Sequence, residues 1–379
     1  MKIEKNLSAA IAALILLFPF NQQTTASANK AISPNNLTIA QTKTPIQAMP
    51  EQTRKIFIGS IGGKYDIRMY LWREGNTFSG VYLYESNGGN INLEGTIERD
   101  GSFEMNESDN EGNQTAVFKG KLTRKVAGAD AVLHLEGTWS KADGSNSMAF
   151  SAEEQRFNLG GARVFSKSIT TKNKKPAYTI EAKYPLIEGS TSTGAAGFNK
   201  EVNSLIASEI ADFKKSAADA ESPDPATSTE SGLTIDYEIT FATSDLISVA
   251  FTSSPYFAGA AHPNQFTHVL NYDLKAGKPI TLGSLFKPGA NYLTTIANYC
   301  TAQLKKQLGS LSDPDMIKEG ASANRDNYRN WNIGRKGIEI TFEPYQVAAY
   351  AAGPQLVIVR YSALKDLLNP NGPVAALAK

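Results

Sequence analysis

The sequence predicts an α+β protein in two parts. An antiparallel β domain (a curled sheet or small barrel) occupies residues 55–154, and an α+β domain with a mostly antiparallel sheet and two main helices follows. Three observations predict this: hairpin turns recur through the first part, a glycine-centred repeat runs along its strands, and beyond Gln155 the apolar period switches from two to that of a helix.

The turns of the first part are Gly75-Asn76, Gly88-Gly89, Asp100-Gly101, Gly112-Asn113 and Asp143-Gly144. Each supplies the positive φ that a tight hairpin needs. Alternating stretches such as Tyr65–Leu71 lie between them and read as strands, about seven or eight in all. The repeat is Phe78-x-Gly80-x-Tyr82, Leu93-x-Gly95-x-Ile97, Phe118-x-Gly120-x-Leu122 and Leu135-x-Gly137-x-Trp139. Glycine weakens a strand, so its recurrence between two large apolar residues implies strong bending or close strand approach. Alternation puts each pair on one face, and these eight side chains are expected to share one interior. That core is large enough for residues 55–154 to fold independently of the rest.

In the second part, strands are expected at Ala162–Thr171 and Ala177–Tyr184. Phe198, Val202, Leu205, Ile206, Ile210 and Phe213 keep the spacing of one helical face. Glu221–Gly232 reads as a loop, Leu233–Ala242 and Leu246–Thr252 as a hairpin, and Phe266–Leu274 as a further strand. Tyr292, Leu293, Ile296, Tyr299, Cys300, Leu304 and Leu308 line a second helix that Gly309 ends. Ile338–Phe342 and Leu356–Tyr361 are closing strands, and Ser362 is the expected N-cap of a short helix ending at Leu368. The spread of strands around two helices predicts one sheet with helices on one face.

The N-terminus carries the grammar of a secretory signal over residues 1–28. Lys2 and Lys5 precede an apolar run from Ala9 to Phe20, and Ala26-Ser27-Ala28 supplies the small residues of a cleavage site. The run is shorter than the roughly 20 residues a membrane span needs, so no transmembrane anchor is expected after cleavage. Residues 29–54, with Pro34, Pro45 and Pro50 among Asn, Gln and Thr, read as a disordered linker. The expected location is periplasmic or extracellular. Loss of residues 1–28 takes two of the 38 basic and one of the 37 acidic residues and leaves the mature chain neutral. A neutral chain has no basic footprint for nucleic acid.

Catalytic motifs are weak. A penicillin-binding-type set (Ser362-x-x-Lys365, Ser108-Asp109-Asn110, Lys275-Ala276-Gly277) occurs in reversed order and outside its required context. His134, His262 and His268 have no spacing of a zinc site, and no metal or cofactor is expected. The lone Cys300 sits on an apolar helical stripe and reads as a core residue. Two loops are more specific. Tyr256–Asn264 combines aromatic and small residues with His262-Pro263-Asn264, and Phe342–Pro354 carries Glu343, Tyr345 and Tyr350. Exposed Tyr, His and Asn on rigid loops suit sugar or protein recognition, and the same aromatics also suit packing of the loops onto the sheet. The candidate ligand-binding residues are Tyr256, His262, Asn264, His268, Glu343, Tyr345 and Tyr350.

These loops also carry a family resemblance. Gly259, His262-Pro263-Asn264, Asn271-Tyr272-Asp273-Leu274, Gly277-Lys278 and Ile280-Thr281-Leu282-x-x-Leu285-Phe286 form one ordered series. Phe342-x-Pro344-Tyr345-x-Val347-Ala348-x-Tyr350-Ala351-x-Gly353-Pro354 forms another. Together they resemble the C-terminal extracytoplasmic domain of the anti-sigma-V factor RsiV, which also occurs in PdaC-type peptidoglycan deacetylases. On that resemblance residues 156–255 are a PdaC-like partner domain, 256–368 the RsiV-like domain, and 369–379 a tail. It implies extracytoplasmic binding of cell-wall glycan or a lysozyme-like protein. The short stretch ahead of the apolar run leaves no room for a sigma-binding segment, and no deacetylase domain fits the remaining length. The expectation is therefore an exported envelope binding protein, not an enzyme. The alternative is a cryptic envelope glycan hydrolase using His262 with Glu343 or Asp273.

Overall fold

The computed structural model describes Met49 and residues 54–378 apart from 87, 110, 128–129 and 220–229. The expected signal peptide and most of the linker lie outside the described residues.

Eight antiparallel strands form a closed barrel: β1 (Lys55–Ile61), β2 (Tyr65–Glu74), β3 (Thr77–Tyr84), β4 (Ile91–Ile97), β5 (Ser102–Ser108), β6 (Gln114–Ala127), β7 (Asp130–Lys141) and β8 (Met148–Glu154). Closure comes from β1 pairing with β8, with Gly59 opposite Ala152. All five turn dipeptides supply a glycine of positive φ. The eight side chains expected inside do share one core, with Trp139 at its margin. The rings of Tyr82, Phe118 and Phe150 pack edge to face there, at centroid distances of 5.3 and 5.0 Å.

The repeated glycines have a direct steric cause. A Cβ on Gly80, Gly95, Gly120 or Gly137 would lie 1.9–2.1 Å from a carbonyl oxygen of the neighbouring strand. Gly120 and Gly137 face each other across β6 and β7, so two bare backbones meet where the sheet coils most tightly.

The second part contains two sheets where one was expected. The larger runs in the order β14 (Lys278–Pro279), β13 (Phe266–Asp273), β12 (Leu246–Tyr256), β11 (Ser231–Ala242), β10 (Ala177–Glu188), β9 (Arg163–Lys174). It is mostly antiparallel, but β10 and β11 run parallel because helix α1 (Thr193–Asp219) crosses between them. The predicted closing strands leave this sheet. With β15 (Trp331–Ile333), β16 (Gly337–Phe342) and β17 (Gln355–Arg360) form a separate antiparallel sheet. Helix α2 (Tyr292–Leu308) packs on it, and Cys300 is buried in their shared core. Each sheet thus carries its own long helix, a correction to the single sheet with both helices on one face.

Smaller corrections concern element ends. Ser231 and Gly232 belong to β11, because their backbones pair with Tyr178 and Thr179 of β10. Ser362 lies inside the one-turn helix Tyr361–Leu364, whose N-cap is Arg360, because that helix starts directly from the end of β17.

Buried polar groups fasten the two sheets together. Ser248 Oγ donates to Asn271 Oδ1 (2.6 Å) and accepts from Asn332 Nδ2 and the Ile333 amide (both 3.0 Å). The barrel is fastened by charge. Arg68 on β2, with a side chain 2% exposed, contacts Glu85 at the end of β3 (3.1 Å), Glu339 on β16 (2.5 Å) and Glu238 on β11 (3.6 Å). Tyr70 OH donates to Glu238 (2.7 Å), and Tyr70 and Leu83 pack on Ile358. The turn after β3 closes the contact, with Gly88 bridging to Val357 and the Gly89 amide donating to Leu356 O (3.1 Å).

Candidate functional site

A groove of about 630 Å³ runs beside the first residues of β13. One wall is α1, where Leu205, Glu209, Asp212, Phe213 and Ser216 recur at helical spacing. The floor comes from Ser253 and Pro255 of β12, followed by Phe257. Phe266 and His268 of β13 share the α1 face, with Ser253 and Phe251 as their cross-strand partners.

The far wall forms because β13 lacks an outer neighbour at this end. Strand β14 pairs with it only at Tyr272 and Asp273. The Thr267 amide therefore points outward, and Glu343, just past β16, accepts its hydrogen bond through Oε1 (2.8 Å). Asn330 Nδ2 donates to the same oxygen (2.5 Å). Glu343 Oε2 is shielded from solvent and accepts no hydrogen bond among the described residues. Burial raises the Glu343 pKa, against the opposing pull of the Thr267 amide, Arg329, Asn330 and His268.

His268 Nε2 lies 3.0 Å from Glu209 Oε1. That close ionic contact raises the imidazole pKa and lowers that of Glu209. The raised His268 makes a contribution to stability that is present below its unfolded pKa and lost as pH rises through the folded one. The lowered Glu209 makes one that is present above its unfolded pKa and lost as pH falls through the folded one. The pair therefore contributes most between the ordinary carboxylate and imidazole ranges. An NMR titration of His268 should give a midpoint above the ordinary value of 6.5. Glu209→Gln should bring it down, and an unchanged midpoint would mean that the pair does not form in solution.

Beside the groove lies an aromatic strip. The His262 ring stacks on Tyr350 at 4.1 Å, and Tyr350 meets Tyr345 at 5.3 Å. Tyr350 OH donates to Pro263 O (2.7 Å), tying the two sequence-predicted loops together. Tyr345 is 61% exposed and adopts φ 68°. A left-handed backbone at a bulky exposed residue is strained.

Of the seven candidate residues, Asn264, His268 and Glu343 line the groove, while His262, Tyr345 and Tyr350 form the strip. Tyr256 is the exception. Ser253 and Pro255 face the groove, so strand alternation puts Tyr256 on the opposite face. Among the described residues no contact joins His262 to Glu343 or Asp273, the pairings of the hydrolase alternative. Asp273 accepts from the Ala276 amide (2.7 Å) in the turn after β13, six residues and about 20 Å along the strand from Thr267. His262 points its Nδ1 at Pro263 O (3.0 Å) and does not line the groove. Sequence reasoning missed Glu209, Phe266, Arg329 and Asn330. Glu209 had a signal, since it sits on the apolar stripe one turn from both Leu205 and Phe213. Arg329 and Asn330 had none.

Residues 171–265 match the family described as deacetylase PdaC, and residues 283–362 match a family described as a protein of unknown function, DUF3298. The chain carries PdaC-like and DUF3298-like domains. The groove draws on both, with Glu209 and Asn264 from the first and Arg329, Asn330 and Glu343 from the second. These matches do not extend to the anti-sigma assignment. Over 161 residues the chain is 29% identical to the peptidoglycan-N-acetylmuramic acid deacetylase PdaC of Bacillus subtilis, covering 42% of this chain and 34% of the deacetylase. Over 111 residues it is 29% identical to the immunogenic protein MPT64 of Mycobacterium tuberculosis, covering 29% of this chain and 47% of that protein. The chain thus spans about a third of the first relative and about half of the second. A solved DUF3298-family structure from Bacteroides fragilis aligns with a TM-score of 0.45 and 16% identity, covering 59% of this chain and 99% of that one. Another, from Pseudomonas aeruginosa, gives 0.41 and 12%, covering 55% and 94%. No helix among the described residues is long and apolar enough to cross a membrane.

Proposed function

We propose that this chain is an exported cell-envelope binding protein, without a catalytic centre of its own, that holds cell-wall glycan along the groove and the adjoining aromatic strip. The observation that carries the reading is the exposed Tyr345 ring, continued by the His262–Tyr350 stack, beside a groove of mixed polar and apolar lining. Sugar rings bind through apolar faces and hydroxyl edges, and such a surface offers partners for both. The Bacillus subtilis relative is a peptidoglycan-N-acetylmuramic acid deacetylase, which supports a cell-wall ligand.

The test is co-sedimentation of the chain with purified peptidoglycan, and in parallel its capture by immobilised lysozyme, each at low and high salt. Retention on peptidoglycan is expected to change little with ionic strength, because stacking on tyrosine is not screened. Tyr345→Ala combined with Tyr350→Ala should weaken it by roughly tenfold or more, a loss in the range of alanine substitutions at stacking aromatics. Capture by lysozyme that falls steeply with salt would transfer the site to a lysozyme-like protein. Retention by neither would overturn the reading, and acetate or new reducing ends released from the glycan would overturn its non-catalytic part.

A further inference from the structure

A second cavity, of about 490 Å³, lies further along β13, towards β14. Tyr328 and Trp331, both almost fully buried, line it together with Leu282 and the half-buried Tyr292. Val269 and Arg329 line both this cavity and the groove described above, so the two meet at the edge of β13.

That edge is open over one short stretch. At one end Glu343 takes the Thr267 amide, and at the other the Ile280 amide donates to Asn271 O (2.7 Å). Strand alternation therefore turns the N–H and C=O of Val269, midway between them, outward as well. Strand β14 does not reach Val269, and its outward groups have no hydrogen-bond partner among the described residues. From Thr267 to Asn271 is about 14 Å, room for a few residues of added strand. A strand continuing past either end would run into Glu343 or Ile280. The place suits the end of a chain better than its middle.

The charge beside the edge selects which end. Arg325 and Arg329 both line the second cavity, against one carboxylate, Asp326. Arg329 is partly engaged, offsetting Glu343 and donating from Nη1 to Asp326 O (3.4 Å). Arg325 is exposed, and its side chain makes no hydrogen bond or ion pair with a described residue. An ammonium terminus would be repelled there, whereas a carboxylate fits the planar fork of a guanidinium. We propose that the β13 edge is a binding site for the C-terminal end of an extended partner polypeptide. Its main chain pairs with Val269, its terminal carboxylate meets Arg325 with Arg329, and an apolar last side chain enters the cavity beside Tyr292, Tyr328 and Trp331. This site is independent of the glycan reading.

Fluorescence anisotropy of the full chain with an N-terminally labelled Ser-Thr-Val-Leu peptide, as the free acid and as its C-terminal amide, tests this. The acid should bind at least roughly tenfold more tightly, because the amide loses the charge-assisted hydrogen bonds. Arg325→Ala, at an exposed position, should remove that preference and leave the weaker affinity for the amide unchanged. A thermal melt establishes that the variant is folded. Hydrogen exchange followed by NMR should show the Val269 amide slowed by the acid peptide, with the Thr267 amide, already bonded to Glu343, little changed. No binding of the acid, equal binding of acid and amide, or an Arg325→Ala variant that keeps the preference overturns the proposal. Binding of the acid with Val269 exchange unchanged also overturns it, since the carboxylate would then be held by a surface arginine alone. Retention of peptidoglycan through Tyr345 and Tyr350 stands or falls separately.

Discussion

Arg68→Ala is expected to lower the stability of the folded chain by about 3–5 kcal/mol, the usual loss when one partner of a buried ionic cluster is removed. The size follows from what remains. Glu85 and Glu339 stay almost wholly buried, Glu238 stays close by, and the cation contacting all three is gone. Burial already raises the Glu339 pKa against the pull of Arg68, so removal of the guanidinium raises it further. A carboxyl with a raised folded-state pKa binds protons more readily folded than unfolded, and its contribution is lost as pH rises through the folded value. The deficit of the variant should therefore be largest at neutral pH and shrink towards mildly acidic pH. Urea unfolding across that range measures it. A deficit below about 1 kcal/mol, or one independent of pH, would show that the cluster is solvated and does not fasten the barrel.

Gly120→Ala, or Gly137→Ala, is expected to cost about 3 kcal/mol, at the upper end of overpacking effects. The new methyl would fall about 2.1 Å from Glu136 O in the first case and 2.0 Å from Lys119 O in the second. Both obstacles are backbone in a closed barrel, so relief requires moving a strand rather than turning a side chain. Gly232→Ala is the control. Its Cβ would meet nothing within 4 Å, and its backbone has no positive φ. That change should stay within about 0.5 kcal/mol. Equal melting temperatures for Gly120→Ala and Gly232→Ala would contradict the steric explanation of the repeat.

The two predictions differ in how readily their residues announce themselves. Gly120 and Gly137 were visible as a repeat, because the strain that selects glycine acts between strands that follow one another in the sequence. Arg68 was not. It occupies an alternating strand as an ordinary polar residue, and only the arrival of Glu238 and Glu339, 170 and 271 positions away, makes it a buried cation. The candidate site divides in the same way. His262, Tyr345 and Tyr350 stood out within two unusual loops, and Glu343 and His268 were in view singly. Their partners Glu209, Arg329 and Asn330 were chosen by which elements come to rest beside the free edge of β13.

The sequence by itself determined the hairpin succession from β1 to β8, the shared interior of Phe78 through Trp139, the two long helices and the buried state of Cys300. Each depends on alternation, helical period or turn geometry, which act over a few residues and leave a local pattern. Tertiary structure alone decided the closure of β1 on β8, the departure of β16 and β17 into their own sheet, and the burial of Arg68. It also decided the pairing of His268 with Glu209. These depend on which surfaces remain uncovered once the local elements exist, and uncovered surface has no periodicity that a sequence can display.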